Sequence, residues 1–313
     1  MVCFFHLPFY AQIRKYIGIV RPEYNSETVS FLKAFQNELK AKGYNAYANY
    51  IDGYLKGRFG SGFVYVNSEG KNFVITNQYV IDYGTSASIE FEDPRTGTVT
   101  KYENLSIKAI DDEIDIAVLQ FKDNEEPFKK GLVFSSDNVE DGIDVYSAGF
   151  PGLGNTPLWQ LGKGIVTNSS ARIKELMNPD ISSLIQHSAE VDRGNSGGPL
   201  LIPSKTTETG YLVIGINTWK AFYRQNTNFA IPAKVITNYI ANGKSATQEE
   251  NDIKLDKALK STEADYSEIA KFISIEKVYE SGSLAFIDAS FSPYLQKRIF
   301  DVIETFLSNK EKN

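Results

Sequence analysis

The stretch Gly194-Asn195-Ser196-Gly197-Gly198-Pro199-Leu200 decides how this chain is read, and it is reached through Leu184-Ile185-Gln186-His187-Ser188-Ala189-Glu190-Val191-Asp192-Arg193. A serine flanked by glycines lets the backbone fold tightly beneath it. The N–H groups of Gly194 and Ser196 then point at one spot and form an oxyanion hole, which makes Ser196 a candidate nucleophile. A plain Gly/Ser/Asn turn between two strands is the competing reading, because these residues are ordinary turn chemistry. A nucleophile also requires a base and an acid from elsewhere in the chain.

The chain is 313 residues long and 42% hydrophobic, enough for a packed core in one large domain or two of ordinary size. Its net charge of -6 comes from interspersed signs, so there is no basic stripe for nucleic acid. No apolar run is long enough to span a bilayer. Peptide or protein partners fit this surface best. The single cysteine, Cys3, excludes an intrachain disulfide, and the only histidines, His6 and His187, offer no metal-ligand cluster. No cofactor motif stands out. Residues 1–11, MVCFFHLPFYA, read as a truncated signal segment lacking its basic start, which points to export; a buried N-terminal strand is the other reading.

Residues 12–57 are a lead-in. Within them Phe31, Leu32, Phe35 and Leu39 recur at helical spacing between a capping Asn25 or Ser26 and a terminating Gly43. The tyrosines at 44, 47, 50 and 54 fit neither a clean helix nor a clean strand, and irregular packing is expected there. From Gly60 short runs of Val, Ile, Phe and Tyr alternate with turn residues, the pattern of a mainly β barrel or sandwich. Strands are expected at 63–66, 73–76, 88–91, 116–119, 145–148, 164–167, 184–186 and 211–214. The pattern stops near Asn242. Residues 242–313 read as a linker and an α-rich region, with Ser292-Pro293 opening a final helix.

Several segments share one register with a known family. Gly60-Ser61-Gly62-Phe63-Val64, Thr76-Asn77-Gln78-Tyr79-Val80, Asp115-Ile116-Ala117-Val118-Leu119, Gly215-Ile216-Asn217-Thr218-Trp219 and Asn228-Phe229-Ala230-Ile231-Pro232, together with the GNSGGPL loop, resemble the trypsin-like serine peptidases, most closely the HtrA/Deg-type bacterial members. The resemblance covers roughly residues 58 to 241. It implies a two-barrel chymotrypsin-like fold, with barrels at about 58–135 and 136–241, an N-terminal helix ahead of them and an α-rich C-terminal appendage.

The resemblance also implies roles. Ser196 falls at the nucleophile, Asp115 at the orienting acid and Tyr79 at the position of the histidine base, in the family's order along the chain. Thr218-Trp219-Lys220 falls on the edge strand that pairs with a substrate backbone, and Glu190 at the base of the primary pocket, where a carboxylate favours lysine or arginine. Glu190 pointing to solvent or pairing with Lys163, Arg193 or Lys220 is the alternative. Tyrosine changes the chemistry. A phenol titrates near 10, so only about one part in a thousand is ionised at pH 7, and it cannot accept one proton while donating another as imidazole does. His187, on the strand entering the loop, is assigned a structural role. The expectation is a weakly active or inactive peptide-binding relative of these peptidases. The alternatives are an active endopeptidase with an unusual or partner-supplied base, and an adaptor acting through its helical tail.

Overall fold

The computed structural model describes residues 9–242 except 44, 83, 112–113, 123–124, 154–155, 173–182 and 222–223. The α-rich region expected after 242 and most of the signal-like segment lie outside the described residues. The described chain divides into two compact units, one built of residues 9–23, 59–81 and 85–242, the other of residues 24–58, 82 and 84.

The first unit holds two closed, six-stranded antiparallel barrels, as the chymotrypsin-like reading requires. One runs in the order β1 (Ile17–Glu23), β2 (Gly60–Val66), β3 (Asn72–Thr76), β6 (Ile116–Gln120), β5 (Val99–Asp111) and β4 (Ser86–Glu92). The other runs β10 (Gln160–Ala171), β11 (Leu184–His187), β14 (Asn228–Pro232), β13 (Tyr211–Lys220), β12 (Pro199–Pro203) and β7 (Asp144–Gly149). A two-stranded ribbon, β8 (Gly152–Leu153) with β9 (Thr156–Pro157), follows β7. Short helices α1 (Phe9–Arg14) and α4 (Ala233–Asn242) flank the barrels in sequence. Inward-facing Val, Ile, Leu and Phe fill both barrels, among them Val20, Phe63, Ile75, Ile89 and Leu119 in the first, and Val145, Val166, Ile185, Leu200 and Ile214 in the second.

Two elements differ from expectation. Within the lead-in over 12–57, Ile17–Glu23 forms a strand of the first barrel. It pairs with β2 through residues 17–20 and with β4 through residues 19–23. Its Gly18 and Pro22 speak against a strand in sequence, yet Pro22 faces only β4 and so interrupts no second ladder. The Glu23 carboxylate fastens the end of β1, accepting the Ser86 hydroxyl at 2.6 Å and the Asn104 N–H at 3.0 Å. The tyrosine-rich segment is a helix, α3 (Asn45–Leu55), rather than irregular chain.

That helix belongs to the second unit, where it packs against α2 (Ser26–Ala41). The α2 boundaries follow from local chemistry. The Asn25 side chain accepts the Thr28 N–H at 2.7 Å, Gly43 at φ +83° ends the helix, and Leu32, Phe35, Gln36 and Leu39 form its buried stripe. Gln36 ties the pair together by donating to the Ala48 carbonyl and to Asp52 Oδ1.

Candidate active site

The loop from Arg193 to Gly198 is held peptide by peptide. Gly152 N–H donates to the Arg193 carbonyl at 2.8 Å, and Ser61 Oγ donates to the Gly194 carbonyl at 2.6 Å. The Asn195 carbonyl accepts Gly198 N–H, and the Ser196 carbonyl accepts Ser61 N–H at 2.8 Å. Asn195 N–H donates to Asp192 and Gly197 N–H to Asn217. Every carbonyl from 193 to 196 thus has a donor, while the N–H groups of Gly194 and Ser196 donate to nothing among the described residues. A trans peptide carries its C=O and N–H on opposite sides, so pinning the Arg193 carbonyl against Gly152 turns the Gly194 N–H away from it. Gly194 sits at φ +107°, and a Cβ there would lie 2.6 Å from the Phe150 carbonyl; glycine is the residue that fits.

Ser196 is 8% exposed. Its Oγ donates to the Thr218 carbonyl, a 3.4 Å contact. The Thr218 hydroxyl in turn donates to Asp115 Oδ2 at 2.7 Å. The other Asp115 oxygen accepts the backbone N–H of Tyr79 at 3.1 Å. Asp115 occupies the left-handed region at φ +55°, with its carbonyl held by the Asn77 amide at 3.0 Å. Tyr79 stands half-buried on a 3₁₀ turn, Gln78–Ile81, and packs on the first barrel's core. Thr218 therefore links the serine to the carboxylate.

The remaining predicted positions fall as follows. β12 leaves β13 at Ile216; beyond it Trp219 and Lys220 pair only with β14, Thr218 lies in the irregularity between Asn217 and Trp219, and this stretch has one backbone edge without a strand partner among the described residues. Trp219 is half-buried against the core, and Lys220 ion-pairs with Asp192 at 2.7 Å. Both members of that pair are about half exposed (48% and 50%), so it contributes at most about 1 kcal/mol. Glu190 is exposed beside Gly162 and makes no ion pair among the described residues; Lys163 pairs with Asp144 instead. A cavity of about 640 Å³ opens beside the loop, lined by Pro151, Leu158, Trp159, Arg193 and Lys220 among others.

His187 is fully buried on β11 with neither ring nitrogen hydrogen-bonded. Burial pushes its pKa down to about 4, offset only in part by the nearby Asn217 side chain and Ala189 backbone. It is a neutral core group and offers no base to Ser196. His6 lies outside the described residues. Ser61, in its Gly-Ser-Gly frame, and Gly152, in the segment Ala148-Gly149-Phe150-Pro151-Gly152, resemble the family in sequence without a role being assigned to either. Ser61 nonetheless makes three contacts to the second barrel, the third being Phe150 N–H to its Oγ at 2.8 Å. The visible signal was a small polar residue between two glycines in an otherwise apolar strand.

Residues 60–207 match a trypsin-like peptidase domain. The chain is 36% identical over 181 residues to a probable periplasmic serine endoprotease DegP-like of Bartonella henselae, covering 56% of this chain and 31% of that one. It is 29% identical over 178 residues to the serine protease Do-like HtrA of Bacillus subtilis, covering 56% and 36%. The chain thus matches about a third of the length of these relatives. Among solved structures, the active form of the Rv3671c protease from M. tuberculosis superposes with a TM-score of 0.52 at 20% identity, covering 77% of this chain and 86% of that one, which is a likeness of fold. The barrels, the register of the loop and these matches agree: over residues 60–207 the chain is similar to a trypsin-like peptidase domain, and these relatives are proteases of the HtrA/Deg kind.

Proposed function

We propose that the chain binds extended peptides in a peptidase cleft whose catalytic proton transfer is missing. The observation that carries this reading is Tyr79 at the position of the base, and with it Ser196 Oγ makes only a long, 3.4 Å contact, to the Thr218 carbonyl, among the described residues. A peptide carbonyl cannot take the serine's proton at neutral pH, and Asp115 already receives the Tyr79 N–H and the Thr218 hydroxyl. In this reading Ser196 is the nucleophile position, Asp115 the orienting acid without an imidazole to orient, and Tyr79 the replacement for the base. The N–H groups of Gly194 and Ser196 are the oxyanion hole. Loss of the histidine from such a triad costs on the order of 10⁶ in turnover, leaving roughly 10³ to 10⁴ over water.

Binding needs none of the missing chemistry. The open backbone edge at Thr218-Trp219-Lys220 can add a peptide strand through main-chain groups alone. Export fits the periplasmic description of the Bartonella relative. No helix among the described residues is long and apolar enough to cross a membrane.

A library of internally quenched peptides tests the reading. The native chain is expected to bind members of the library without releasing fluorescence, and Tyr79→His is expected to cleave them. Cleavage by the native chain that disappears in Ser196→Ala contradicts it.

A further inference from the structure

We propose that Phe59, with the Arg21 guanidinium over its ring, is a positioning residue that holds the Arg193–Gly194 peptide in its present orientation. Both residues lie outside the stretch that matches the peptidase domain, residues 60–207. The orientation matters through the reading above, in which the Gly194 N–H belongs to the oxyanion hole; the hold of Phe59 on that peptide is independent of catalysis.

Gly194 is crowded on the side where a side chain would stand. A Cβ there would lie 2.6 Å from the Phe150 carbonyl oxygen, 2.8 Å from Phe59 Cε2 and 3.1 Å from the Gly152 nitrogen. Turning the planar Arg193–Gly194 peptide rotates the bonds on either side of it and shifts the Gly194 Cα, so one of these neighbours has to give way. Two of them are backbone. Phe150 is anchored by its N–H on Ser61 Oγ, and Gly152 by its N–H on the Arg193 carbonyl. The third is the half-buried ring of Phe59, a side chain that keeps its rotamer only where something packs on it.

Arg21 supplies that packing. Its guanidinium carbon lies over the Phe59 ring, 5.0 Å from the centroid, within the range of cation–π attraction. The Glu90 carboxylate, 3.6 Å from Arg21 Nε, keeps the charge in place. Strand register brings the two residues together. β1 and β2 pair from Ile17 opposite Phe63 to Val20 opposite Gly60, and one residue further sets Arg21 opposite Phe59. Alternate residues of an extended chain share a face, so Phe59 stands on the same side as Ser61. Gly194 is thus met twice from this segment, by Ser61 at its carbonyl and by Phe59 at its Cα.

The Gly152 amide reads the peptide directly, because its N–H is bonded only while the Arg193 carbonyl keeps its direction. Hydrogen exchange followed by ¹H–¹⁵N spectroscopy on the full chain tests the proposal, with the Val64 amide, which donates to the Tyr16 carbonyl, reporting on the barrel itself. Arg21→Gln is expected to speed Gly152 exchange about threefold and Phe59→Leu about tenfold, with Val64 unchanged. Arg21→Lys is expected to stay near the native rate, since an ammonium also binds a ring face. Adding Arg21→Gln to Phe59→Leu is expected to do nothing more. Unchanged Gly152 exchange in Phe59→Leu overturns the proposal. So does an equal rise at Val64, which makes the pair a general support of the barrel, and so does an Arg21→Gln effect that survives in Phe59→Leu. None of these outcomes requires bond cleavage or peptide binding, so the quenched-peptide assay judges the reading above separately.

Discussion

Two single buried side chains have effects that can be measured: Ser61 holds the nucleophile loop, and His187 ties stability to pH. Ser61 Oγ donates to Gly194 and accepts from Phe150, so Ser61→Ala leaves a half-buried carbonyl and a buried N–H without these partners. That substitution is expected to cost about 2–4 kcal/mol in urea unfolding while leaving the barrels intact. His187 makes stability depend on pH. Its pKa falls from an unfolded value near 6.5 to about 4 in the fold. The unfolded chain therefore binds the extra proton between those values, and its contribution is fully present above pH 6.5 and lost as pH falls. The loss amounts to about 3 kcal/mol by pH 4. Unfolding free energies measured from pH 7 to pH 4 are expected to show this slope in the native chain and not in His187→Gln. An equal slope in both would remove His187 as its source.

At the scale of elements, much of the fold was legible because the signals were local. The runs at 63–66, 73–76, 116–119 and 145–148 alternate or are uniformly apolar, and each became a barrel strand. The α2 helix announced itself through its cap, stripe and terminal glycine. β5 was not legible. Its thirteen residues are mostly exposed and include Lys101, Glu103 and Lys108, so neither apolar alternation nor a turn boundary marks it; it is held by ladders to β4 and β6. β1 was hidden by Gly18 and Pro22, and α3 by tyrosines whose spacing does not describe one face. The site divides in the same way. Asp115, Ser196 and Gly194 lie in motifs that can be read one at a time. The bond from Thr218 to Asp115 joins positions 103 residues apart, and the contacts of Ser61 and Gly152 with the loop exist only after folding.

For the whole molecule, the family match and the folding unit do not share a boundary. The match begins at residue 60, but the first barrel is closed by β1 at 17–23. A chain that starts at residue 58 lacks the strand between β2 and β4 and exposes two unpaired edges. It is expected to be insoluble or to lose the cooperative unfolding of the full chain, while one starting at residue 9 retains it. Circular dichroism and thermal melts distinguish the two. A stable barrel from residue 58 onward would show that β1 is dispensable.

At that same scale the proposed reading is of a serine-peptidase frame assembled from both barrels and lacking its proton acceptor. Labelling by a fluorophosphonate probe, followed by intact mass, measures this directly. The native chain is expected to label no faster than Ser196→Ala, and Tyr79→His to gain on the order of 10³-fold or more, a gain abolished by adding Ser196→Ala. Rapid labelling of the native chain at Ser196 would contradict the absence of a base.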